Sequence, residues 1–194
     1  MNKPIILTIV LFGLILFAFW AILPQEPAEA LPQTNGTPAE SREALVTQSA
    51  RKLNSTLPLT DGRDFSNIGL KNYNLQEAQE LASSTDKYTI MYFWASWCHN
   101  CRFFEEEVLP NPQVVETINN SFAFVSLDFD NTTELVQELR LRSVPTFIFV
   151  TPEGEYATIL PGAVPPDIFV LVLNFVSTGS YKSMDFENYV DTVL

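Results

Sequence analysis

Apolar residues in the second half of the chain fall into two patterns, short unbroken runs and helical repeats, and the two alternate. "YTIMYFWA" (Tyr88–Ala95), "FAFVSLDF" (Phe122–Phe129) and "PTFIFV" (Pro145–Val150) are continuous apolar stretches of strand length. Runs with so little polar character predict central strands covered on both faces. Around them the spacing becomes helical. In "NLQEAQELA" (Asn74–Ala82), Leu75, Ala78, Leu81 and Ala82 share a face, and Asn74 suits the N-cap. "RFFEEEVL", after the first run, predicts a helix whose acids lie near its first turns, where the dipole favours them. "NPQVVETIN" (Asn111–Asn119) predicts a short helix with proline in its first turn. "TTELVQELRL" (Thr132–Leu141) is amphipathic, with Leu135, Val136, Leu139 and Leu141 facing inward. The turn "PEGE" (Pro152–Glu155) feeds a fourth strand, "YATIL" (Tyr156–Leu160), and "PPDIFVLVLNFV" (Pro165–Val176) is the closing helix. Strands and helices in this order predict an α/β fold, a central mixed sheet with helices on both faces.

The amino-terminal third has a different pattern. From Ile5 to Leu23 there is no charge and no polar face, over about the 20 residues that a helix needs to span a bilayer core. Residues 1–23 therefore read as a transmembrane anchor, or as a signal sequence if "AEA" (Ala28–Ala30) is a cleavage site. Lys3 precedes the run, Glu26 and Glu29 follow it, and the next cation is Arg42. That asymmetry predicts a cytoplasmic amino terminus, with the rest of the chain outside. Residues 24–61 begin as a linker broken by Pro24, Pro27, Pro32 and Pro38, with a short helix possible from Ser41 to Leu57. Residues 62–194 are of a size for one domain with its own core. The net charge of −12 argues against nucleic acid or anionic lipid as a partner, since such surfaces need clustered Lys and Arg.

The chain has two cysteines, both in "FWASWCHNC" (Phe93–Cys101). On the outer side of a membrane a disulfide can form and persist. Placed after a buried strand and opening a helix, Cys98 would meet unpaired N–H groups that stabilise a thiolate. Cys101, one turn inside, would be shielded and placed to resolve a mixed disulfide. A zinc site would need further ligands, and the single histidine, His99, lies inside the motif. Haem attachment would need histidine where Arg102 stands. A purely structural disulfide across so short a loop would stabilise little.

"YFWASWCHNC", followed by "SVPTFIFVTPEGE", resembles the thioredoxin superfamily over roughly Leu75 to Val176. The segment "CRFFEEEVLPNPQVVETIN" is most similar to periplasmic thioredoxin-like reductases, among them the C-terminal domain of the transmembrane electron conductor of the disulfide-bond system, and to SoxW-type thioredoxins. The resemblance implies a thioredoxin-like fold, with Cys98 as the attacking thiol and Cys101 as the resolving one. It makes Pro145 a cis-proline and lets the Val144 backbone bind an extended substrate segment, with Trp97 covering the pair. It implies no cofactor or metal beyond the redox disulfide. The expected partners are disulfide-containing protein substrates and a membrane electron donor for re-reduction.

Two positions depart from or add to that pattern. Thioredoxins proper carry a buried aspartate, the proton acceptor for the inner cysteine, where this chain has Tyr92. A phenol cannot serve as that base near neutral pH. Glu105, four residues past Cys101 and on the same face of an α-helix, is a substitute, or else an exposed acid beside Glu106 and Glu107. His99 as an imidazolium would stabilise the Cys98 thiolate; as a neutral exposed ring it would not. The reading is a membrane-tethered, extracytoplasmic thiol–disulfide oxidoreductase acting as a reductant. The alternative is a non-catalytic thioredoxin-like module that handles a metal or scaffolds a partner. It places the protein in the inner membrane, domain outward, or in the periplasm after signal cleavage.

Overall fold

In the computed structural model, which describes residues 63–194, strand β1 (Tyr88–Trp94) lies inside the sheet. It pairs in parallel with β2 (Phe122–Asp128) and antiparallel with β3 (Thr146–Val150). β3 in turn pairs antiparallel with β4 (Tyr156–Pro161), giving the mixed order β2-β1-β3-β4. The unbroken apolar runs have the predicted meaning, because both faces of the sheet are covered. Ile90, Tyr92 and Trp94 pack on one side, and Met91 and Phe93 on the other, as the two-residue period of a strand requires.

The helices follow their sequence signals closely. α1 (Leu75–Thr85) begins at Asn74, whose side chain accepts from the Glu77 amide while Glu77 reaches back to the Asn74 amide, a complete capping box. α2 (His99–Phe103) opens directly after the cysteine loop, and α3 (Pro112–Ser121) is capped by Asn111 with proline in its first turn. α2 and α3 together form the crossover that parallel β1 and β2 require. α4 (Thr133–Glu138) follows β2, and α5 (Pro166–Ser177) follows β4.

Three features differ from the sequence reading. α4 stops short of Leu141 because Arg140 turns left-handed (φ 53°) and the Leu141 amide donates to the Val136 carbonyl. That is a helix-ending motif which usually carries glycine. The four residues expected to face inward (Leu135, Val136, Leu139 and Leu141) are nevertheless buried. A further helix, α6 (Phe186–Val193), is capped by Asp185 and packs Phe186 and Tyr189 against Phe175 of α5. The predicted helix after Cys101 widens from α2 into a π-helical turn (Phe104–Val108).

Among the described residues, the edge of β2 is covered by Asn72 and by the Tyr73 amide, which donates to the Phe124 carbonyl at 2.9 Å. Asn72 forms a parallel bridge with Phe124, and its side chain copies a peptide unit against Ser126. Its Oδ1 accepts from the Ser126 amide at 2.9 Å, and its Nδ2 donates to Ser126 Oγ at 2.7 Å and to the Arg63 carbonyl at 3.0 Å. The expected anchor (residues 1–23) and linker (residues 24–61) lie outside the described residues. Among the described residues no helix is long and apolar enough to cross a membrane.

Candidate active site

β1 delivers the chain to the cysteine loop with little freedom. The Cys98 amide donates to the Ala95 carbonyl at 3.1 Å, and the Cys98 backbone is extended, as an N-cap must be. Cys98 Sγ fills the place of a capping oxygen, accepting from the Cys101 amide at 3.0 Å. The same sulfur is bonded to Cys101 Sγ, so this is the oxidised form. After reduction the same amide and the helix terminus stabilise negative charge on Cys98 Sγ. Cys98 is 4% exposed and Cys101 1% exposed. The expected accessible nucleophile is thus covered while its sulfur is tied back over the first turn.

The other expected residues divide. The Val144–Pro145 peptide bond is cis, and Val144 packs half-buried against the cluster that contains both cysteines. The Pro145 carbonyl accepts from the Gly162 amide at 2.8 Å, and Thr146 Oγ1 donates to the Ser143 carbonyl at 2.7 Å, fixing the loop from both sides. Trp97 does not lie buried over the pair. It is 63% exposed, and its indole N–H donates to Asp130 Oδ2 at 2.9 Å, which holds the ring outward by the end of β2. His99 is exposed at the first position of α2. Phe103, which the sequence reading did not single out, is also exposed on α2, so two large aromatic side chains stand in solvent near the pair.

Glu105 is not a surface acid like its neighbours. Glu106 and Glu107 are exposed, whereas the Glu105 side chain is 13% exposed. Its Oε1 accepts from the hydroxyl of fully buried Tyr92 at 2.8 Å, and its Oε2 pairs with the Arg63 guanidinium. The π-helical turn explains the placement. Phe104, Val108 and Leu109 are all fully buried, a spacing of four and five that an α-helical turn cannot face inward together. The wider turn, closed by the Leu109 amide on the Phe104 carbonyl at 2.8 Å, satisfies all three and keeps Glu105 at the wall of the core. Tyr92 stacks on Phe147 at 5.1 Å, and Phe104 and Phe147 pack at 4.6 Å. The residue that replaces the family's aspartate is therefore in contact with the carboxylate proposed to replace it. Arg63 gave no signal in the sequence.

Residues 75–177 match the Thioredoxin-like domain family. The chain belongs to that family. It is a thiol–disulfide oxidoreductase whose redox pair is Cys98–Cys101, and the pair itself carries the electrons. Among its relatives is Thioredoxin-2 of Pyricularia oryzae, 27% identical over 73% of this chain and 82% of the relative. The thiol:disulfide interchange protein DsbD of Photorhabdus laumondii is 28% identical over 42% of this chain, which covers 15% of that much longer protein. Among solved structures, a thioredoxin from Thermus thermophilus superposes with a TM-score of 0.52 at 28% identity, over 55% of this chain and 86% of that one. The matched family region, residues 75–177, does not include Arg63, Asn72 or α6.

Proposed function

We propose that this thioredoxin-like protein is a membrane-tethered reductant of disulfides in extracytoplasmic proteins, recharged by a membrane electron donor. The observation that carries the reading is Cys98 Sγ at the N-cap of α2, accepting from the Cys101 amide within a core cluster that Val144 also joins. Support for the location is the apolar run Ile5–Leu23, flanked by Lys3 before and by Glu26 and Glu29 after. The domain lies on the outer face of the inner membrane, or free in the periplasm if the chain is cut after Ala30. The likeness to DsbD supports reduction as the direction.

In the reduced protein the Cys98 thiolate attacks a substrate disulfide, forming a Cys98–substrate bond and expelling one substrate thiolate. Cys101 loses its proton and attacks Cys98 Sγ. The mixed disulfide breaks, the second substrate thiolate leaves and takes up a proton, and the Cys98–Cys101 bond forms. Two electrons pass from protein to substrate. Glu105 is the acceptor of the Cys101 proton, one helical turn on and in contact with Tyr92.

Insulin reduction driven by dithiothreitol tests the activity, with the Cys98→Ser variant as control. Turnover by the parent and none by the variant is expected; no turnover by the parent returns the protein to the non-catalytic binding class. A C-terminal reporter tests the side of the membrane, and an activity confined to the cytoplasm overturns the topology. Release into the soluble fraction with Leu31 as the new amino terminus shows cleavage instead of anchoring.

A further inference from the structure

Arg63 lies outside the matched family region, yet it reaches the wall of the core beside the redox helix. Its guanidinium carbon sits 3.2 Å from the centre of the Trp94 ring, and its Nη1 pairs with Glu105 Oε2. Stacking on an aromatic face while donating in the ring plane is a geometry guanidinium can adopt and ammonium cannot. The Arg63 backbone is held too, because its carbonyl accepts from Asn72 Nδ2, which is itself fixed to Ser126 of β2. The side chain is 27% exposed. A residue so fixed at backbone and side chain is placed to act on its partner.

Among the described residues, Arg63 is the cation paired with Glu105. Beside it, Asp64 accepts from the Ser66 amide at 2.8 Å. The Asp128 carboxylate, at the end of β2, accepts from the Asp130 amide and the Asn131 side chain. β3 and α5 present uncharged Phe147 and Phe169. On the redox helix itself His99, Arg102 and Glu106 are exposed.

We infer that Arg63 is a positioning residue for the resolving step, holding Glu105 against Tyr92 and keeping its carboxylate ionised so that it can take the Cys101 proton. The inference rests on the reading of Glu105 as the proton acceptor. Without the Arg63 guanidinium, a carboxylate at the core wall stays protonated to higher pH, so Glu105 can take the Cys101 proton only at higher pH. Both titrations of the coupled pair then move to higher pH.

Mixing the reduced full-length protein with dithionitrobenzoate separates the two chemical steps in time. The first coloured thiolate is released by Cys98 attack and the second by Cys101 resolution. In Arg63→Gln the acid limb of the pH profile for the second release should move up by about one unit, in line with the loss of a close opposite charge. The first release should be little changed. Arg63→Lys keeps the charge and should return most of the shift. In the Glu105→Gln background, Arg63→Gln should lose most of its effect. An unmoved limb in Arg63→Gln, or an equal shift in both backgrounds, overturns the role of Arg63. If Glu105→Gln alone resolves at the parent rate, the proton-acceptor reading fails and takes this inference with it. If Glu105→Gln is slow and Arg63→Gln matches the parent, only Arg63 is wrongly assigned.

Discussion

The two faces of the sheet bury similar kinds of strand residue but meet different chemistry. On one face Tyr92, Phe104, Phe124, Phe147 and Phe169 make a ring-on-ring cluster with centroids 4.6–5.9 Å apart. Both cysteines are packed into it. On the other face Leu75, Ala78, Val125, Leu127, Leu135 and Val136 pack with Met91 and Phe93, and the phenols, Tyr73 and Tyr156, lie half-buried at the margin of the cluster. A buried phenol needs a hydrogen-bond partner, and Tyr92 meets that need with Glu105, which draws in Arg63. The difference shows how a core can be made reactive on one side only. The aliphatic face supplies stability, and the aromatic face supplies stability together with a place to put charge.

The comparison breaks most decisively at the sulfurs. Cys98→Ser should abolish turnover, and Cys101→Ser should stop at a mixed disulfide with substrate, seen as a covalent adduct that reductant releases. Adducts on Cys98→Ser instead would reverse the roles of the two thiols. Next come the cores themselves. Phe104→Ala should cost about 3–5 kcal/mol and Leu135→Ala about 2–5 kcal/mol in urea unfolding. Only the first should slow resolution, because only Phe104 packs in the cluster that holds the redox pair. A Leu135→Ala variant that resolves as slowly as Phe104→Ala would erase the distinction between the faces.

Most of the fold was legible in the sequence, but the contrast between its two faces was not. Unbroken apolar runs identified β1, β2 and β3 as strands covered twice, and "SVPTF" carried the cis-proline through its likeness to the family. The π-helical turn was not legible. It follows from three side chains, Phe104, Val108 and Leu109, that must all be buried, a demand set by the tertiary core. Arg63 lies in a polar stretch and meets Glu105 42 positions further along the chain, so no local pattern marks it. α6 did carry a signal, Asp185 followed by Phe186, Tyr189, Val190 and Val193 at helical spacing. The end of α4 carried none, because arginine occupies the left-handed position where glycine would announce it.

Smaller changes sharpen the comparison. Tyr92→Phe removes one buried hydrogen bond and should cost about 1 kcal/mol. It should also slow resolution near neutral pH, since Glu105 loses its bond to the Tyr92 hydroxyl. A variant with the parent's rate would mean that the Tyr92 hydroxyl does not position the carboxylate. On the opposite side, Asn74→Ala deletes the N-cap of α1 and should also cost about 1 kcal/mol. It should leave both thiol-release steps of the dithionitrobenzoate reaction unchanged. A change in either step would show that the aliphatic side is coupled to the sulfurs after all.

The closure of the β2 edge by Asn72 also bears on where this protein can be cut. A fragment trimmed to the family boundaries, residues 75–177, would lose Asn72 and bare the Ser126 and Phe124 backbone along one side of the sheet. An uncovered strand edge invites pairing with another copy. The same trimming would strip Arg63 from Glu105 and α6 from Phe175. The smallest unit that keeps the sheet edge sealed and the carboxylate balanced therefore starts no later than Arg63 and runs through the last helix, outside the limits of the family match.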